Sequence, residues 1–99
     1  MIILHITTKD DWQNASQKGY YEGDSLSREG FVHCCFPHQL ETVLNKWFPD
    51  RSGLLILKVE TNRLTSDFKC ENLEGGTVLF PHVYGPIELT AVIEHYLVE

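Results

Sequence analysis

The sequence predicts an α+β fold. Two helical segments precede the main run of strands. Leu54-Leu55-Ile56-Leu57 is a continuous apolar run, as expected of a central strand covered on both faces. The 99 residues suffice for one domain with one core, spanning residues 1–99.

Each element has a local reason. Ile2 to Ile6 alternates as a strand, with Ile2, Leu4 and Ile6 on one side and Ile3, His5 and Thr7 on the other. Thr8 can cap a helix with Asp10 and Asp11 in its first turn, where the helix dipole favours anions, and Gly19 suits its end. Residues 20–29 are polar and read as a loop. Gly30 to Cys35 is short and β-prone, placing Phe31, His33 and Cys35 on one face and Val32 and Cys34 on the other. Pro37 opens a second helix, whose stripe is Leu40, Val43, Leu44 and Trp47 and whose end is Pro49. Asp50 to Gly53 turns into the Leu54–Glu60 strand, and Thr61 to Leu64 turns out of it. A weaker strand from Phe68 to Asn72 leads through a hairpin turn at Glu74 to Thr77 into Val78-Leu79-Phe80. Pro81 and Pro86 bracket an irregular segment, and Ala91 to Val98 reads as the last strand after a possible helical turn at 88–91.

Composition narrows the function classes. Eight basic and fourteen acidic residues give a formal charge of −6, which disfavours DNA, generic RNA binding and anionic membranes. A small anionic ligand held by imidazoles and backbone N–H groups stays open. No apolar run approaches the ~20 residues that span a bilayer, and the N-terminus lacks a basic segment before its short apolar stretch, so a cytoplasmic protein is expected. Three cysteines, two of them adjacent, do not make a disulfide framework. A monomer is the expected state.

The residues with chemistry sit in two places. His5 and Thr7 share one strand face, and His33 lies on another short strand. Each histidine reads either as a core imidazole bonded to backbone or as a polar group lining a common cleft. Phe80-Pro81-His82-Val83-Tyr84-Gly85-Pro86 is a stiff string that can present His82 and Tyr84 to a ligand, or tie Tyr84 back as a structural corner. Zinc is disfavoured at His33, Cys34, Cys35 and His38, because consecutive strand residues point to opposite sides and the usual ligand spacings are absent. A Cys35 nucleophile activated by His33 is disfavoured too, since side chains two apart on a strand stand ~6–7 Å from each other.

Together, His5-Ile6-Thr7, Gly30-Phe31-Val32-His33-Cys34 and the Phe80–Pro86 string resemble the family called domain of unknown function 952, over nearly the whole chain. Ser25-Leu26, Gln39, the Leu54–Glu60 strand and Glu71 fall where that family's pattern puts them, whereas Cys35 stands where it usually shows a serine. The resemblance implies an ADP-ribosyltransferase-like split β-sheet core with two helices and a central cleft for NAD. It implies a catalytic set of His5, His33 and Glu71, with Glu88 as a second acidic candidate. It implies a ligand-binding set of His5, Thr7, Phe31, His33, His82 and Tyr84, with NAD as a substrate and no metal. Two functions follow: an enzyme that transfers or hydrolyses ADP-ribose, or a non-catalytic module that binds a nucleotide or a protein through the same cleft.

Overall fold

The computed structural model describes residues 1–98. It is a mixed α+β fold with three antiparallel sheets. The first sheet has the order β1-β4-β8, formed by β1 (Ile2–Thr8), β4 (Leu54–Glu60) and β8 (Val92–Leu97). The central place of β4 follows from its composition, and Leu54 to Leu57 are all buried. The second sheet has the order β3-β6-β5, from β3 (Val32–His33), β6 (Phe80–Val83) and β5 (Phe68–Glu71). A two-stranded ribbon joins β2 (Tyr20–Tyr21) to β7 (Ile87–Glu88).

Among the described residues, one isolated backbone bridge joins the two larger sheets. Leu4 N–H donates to the Cys35 carbonyl at 2.7 Å, and Cys35 N–H donates to the Leu4 carbonyl at 2.8 Å. Cross-strand partners share a face, so this bridge sets which side each neighbour takes. Leu4, Cys35 and Ile56 form one apolar cluster, packed by Leu40 and Val43 of α3 (Leu40–Trp47). Ile3, Val32, Cys34, Leu57, Val59 and Val83 form the other, with Ala15 of α1 (Lys9–Lys18). Thr8 caps α1 through its side chain, and Gly19 closes it at φ +92°.

Several expectations are corrected. The polar 20–29 segment holds β2 and a five-residue helix, α2 (Ser25–Glu29), so the described residues form three α-helices rather than two. A single polar turn has no apolar period to reveal it. The strand after the hairpin begins at Phe80 rather than Val78 and runs through Pro81 and His82 to Val83. Pro81 lacks a donor but keeps its carbonyl in the ladder, accepting from Cys34 N–H at 3.0 Å. Trp47, expected in the helix stripe, is 59% exposed and lies under the Lys46 ammonium at 5.0 Å. The short turn before the last strand is a 3-10 turn over Leu89–Ala91.

Candidate active site on the outer face of the second sheet

The β3-β6-β5 sheet carries a polar face because of its register. His33 pairs with His82, His82 with Lys69, and Phe80 with Glu71, while Val32, Val83 and Phe68 turn towards the core. The aromatic rings gather around Phe31, which is buried. Its ring stacks on His82 at a centroid distance of 4.2 Å, meets His33 edge-on at 4.7 Å and lies 5.4 Å from Tyr84. The His33 and His82 rings are 5.5 Å apart.

Each of these imidazoles is fastened to a carboxylate. His82 Nδ1 is 3.0 Å from Glu71 Oε1, and the Tyr84 hydroxyl donates to that same oxygen. The Tyr84 bond, and after it the His82 bond, hold the Glu71 carboxyl below the usual range, so Glu71 is ionised. The same contact pushes the Tyr84 phenol upward. No partner among the described residues takes Glu71 Oε2. His33 Nε2 lies 2.6 Å from Glu29 Oε2, one helical turn earlier in the chain, and the His33 side chain is 54% exposed. The Lys69 ammonium sits 5.0 Å from the Tyr84 ring centroid and places a positive charge beside Glu71.

His5 and Thr7 stand apart from this group. His33 follows the Leu4/Cys35 side of the bridge, whereas His5 follows Ile3 and points inward. Its only link to the outer face is through backbone: His5 Nδ1 donates to the His33 carbonyl at 2.5 Å. His5 Nε2 is 2.7 Å from the Tyr21 hydroxyl, which is 2.9 Å from Thr7 Oγ1. Burial lowers the His5 pKa to about 4, against the opposing pull of the His33 carbonyl. A carbonyl only accepts, so the neutral ring carries its proton on Nδ1 and Nε2 accepts from Tyr21. Burial also raises the Tyr21 phenol to about 12. A single cleft lined by His5, His33 and His82 is therefore not formed, because the one-residue alternation of β1 and β3 sends His5 and His33 to opposite sides.

Glu88, the second acidic candidate, binds Thr65 through the backbone N–H at 3.1 Å and through the hydroxyl. It lines a surface depression with Tyr20, Glu22 and Ser66, away from the imidazoles. Cys35 is buried against Leu4 and Ile56, and burial pushes its thiol up to about 11, the reverse of what a nucleophile needs. Sequence reasoning missed Tyr21, Glu29 and Lys69. Glu29 four residues before His33 and Lys69 two residues before Glu71 were available signals; Tyr21 had none, since it lies in a polar segment.

A family model described as "Protein of unknown function (DUF952)" matches residues 6–95. No curated protein matches the chain. The crystal structure of protein CC0527 from Caulobacter crescentus is similar over the whole chain, at 29% identity and a TM-score of 0.88, covering 87% of that protein. The solution NMR structure of CC0527 matches 99% of this chain and 84% of that one, at 30% identity and a TM-score of 0.84.

Proposed function

The chain belongs to the family described as protein of unknown function, DUF952, and from that footing we propose that it is an ADP-ribosyltransferase-like enzyme whose substrate, NAD or a related ADP-ribose nucleotide, sits on the outer face of the second sheet. The observation that carries the reading is Glu71. Two donors pin its Oε1 and keep it ionised, while Oε2 has no partner among the described residues. Breaking a nicotinamide–ribose bond develops positive charge on the sugar. An ionised carboxylate held in place stabilises that charge without reorganising. Oε2 also suits a ribose hydroxyl. The Tyr84 ring offers a face for the nicotinamide, and Lys69 beside it offers a cation for the diphosphate.

Two sheets joined at the single Leu4–Cys35 bridge support the split-sheet fold that this reading calls for. His5 takes a different part from the one the family resemblance implies: it ties β1 to the β3 backbone and does not touch the ligand. The test is NAD turnover by the purified protein. Glu71→Gln keeps the shape and removes the charge, and it should lower turnover ~10²–10³-fold. A second reading, binding without chemistry, is favoured by the openness of the face, where His33 and Glu29 are about half exposed. Saturable ADP-ribose binding with no turnover, equal in the wild type and Glu71→Gln, would select it.

A further inference from the structure

We propose that His33 is the general base of this site, that Glu29 positions it, and that the acceptor it activates is water, which makes the chain a nucleotide N-glycohydrolase rather than a transferase. The inference rests on the reading above, that the substrate is an NAD-type nucleotide held at Glu71.

The geometry separates two tasks. Glu71 is spent on stabilising charge: Tyr84 and His82 occupy its Oε1, and its pKa is held down, so it is a poor proton acceptor. A base must come from elsewhere on the same face. His33 has the arrangement a base requires. Glu29 accepts from Nε2–H at 2.6 Å, which fixes the tautomer and leaves Nδ1 with its lone pair free. His33 is on β3 and Glu71 on β5, with β6 between them. Two strand spacings across the sheet and two residues along β5 put their backbones roughly 12 Å apart, enough for a ribose with a water on the side away from the carboxylate. The groups that face His33 are Glu29 from α2, His82 from β6 and, through the β3 carbonyl, His5 from β1.

Exposure decides the acceptor. His33 is half open to solvent, so bulk water reaches its side chain. In the reaction the C1′–N bond breaks and its electron pair goes to the pyridinium ring, releasing neutral nicotinamide. The water oxygen bonds to C1′, its proton passes to His33 Nδ1, and His33 returns it to solvent. The products are ADP-ribose, nicotinamide and one proton, and no other reactant is consumed.

The experiment follows two reactions with NAD in parallel: hydrolysis to ADP-ribose, and exchange of labelled nicotinamide into NAD. Exchange needs Glu71 but no base, since nicotinamide attacks without losing a proton. His33→Ala should lower hydrolysis ~100-fold and leave exchange within about twofold of the wild type, and added imidazole should restore hydrolysis. Glu29→Gln should show the same split with a smaller loss. Unchanged hydrolysis in His33→Ala, or equal loss of both reactions, overturns the assignment of the base. If Glu71→Gln loses both reactions in that case, the substrate assignment survives. A wild-type protein that carries out neither reaction overturns both.

Discussion

Burial holds the His5 imidazole neutral down to about pH 4, whereas an unfolded histidine binds its proton near pH 6.5. Between those values the unfolded chain carries the extra proton, so stability is complete above pH 6.5 and falls as pH drops towards 4. The loss amounts to roughly 3 kcal/mol at about 1.4 kcal/mol per pH unit. Urea melts across this range should show that acid limb in the wild type and a flatter one in His5→Gln. At neutral pH the same substitution disturbs the partners at Tyr21 and the His33 carbonyl and should cost ~1–3 kcal/mol. His33→Ala should cost within ~1 kcal/mol, because its exposed pair with Glu29 contributes little to stability. A loss at His33 as large as that of a core truncation would assign this imidazole to the core. That one of these histidines is a core residue and the other is not was beyond the reach of spacing. Both lie on short strands among apolar neighbours, and the deciding contact is Tyr21, which belongs to neither motif and lies in a segment with no apolar period.

At the scale of elements, the second sheet is shaped by close packing after β6. Tyr84 N–H donates to the Asp67 carbonyl at 2.7 Å, and Ser66 Oγ donates to the Pro86 carbonyl at 2.7 Å. These bonds hold the 64–67 turn against the end of the strand and aim Tyr84 at Glu71. Gly85 allows the approach, because a Cβ there would stand 2.4 Å from Ser66 Oγ. Gly85→Ala should therefore destabilise the protein by ~1–3 kcal/mol through overpacking, read from the denaturation midpoint, and Ser66→Gly in the same chain should recover part of it. Leu57→Ala, in the fully buried part of β4, should cost ~2–5 kcal/mol through lost burial and a cavity. Trp47→Ala, on the exposed side of α3, should cost much less. The strands with strong alternation or apolar runs, β1 and β4, were legible from sequence. β6 was not, because Pro81 reads as a breaker and only the Cys34 contact shows that its carbonyl still serves the ladder. α2 and the β2–β7 ribbon were hidden for another reason: elements of five and two residues hold fewer than two periods of the signal that reveals them, so no repeat is seen.

For the whole molecule, the central feature is a sheet that divides at one bridge. Above Leu4 and Cys35 the chain commits β1 to β4 on one side and β3 to β6 on the other. On that side α3 packs on Leu4 and Cys35, and α2 brings Glu29 to His33 at the edge of the β3-β6-β5 face. No helix among the described residues is long and apolar enough to cross a membrane. The face carries Glu29 and Glu71 against Lys69, so it shares the acidic balance of the chain's −6 charge, with Lys69 as its local cation. An amide chemical-shift titration with ADP-ribose reads this face directly. Saturable shifts are expected at Phe31, His33, Lys69, Glu71, His82 and Tyr84, and their loss in Glu71→Gln. Shifts centred instead on Tyr20, Glu22, Ser66 and Glu88, or no saturable shifts at all, would contradict the assignment of the site.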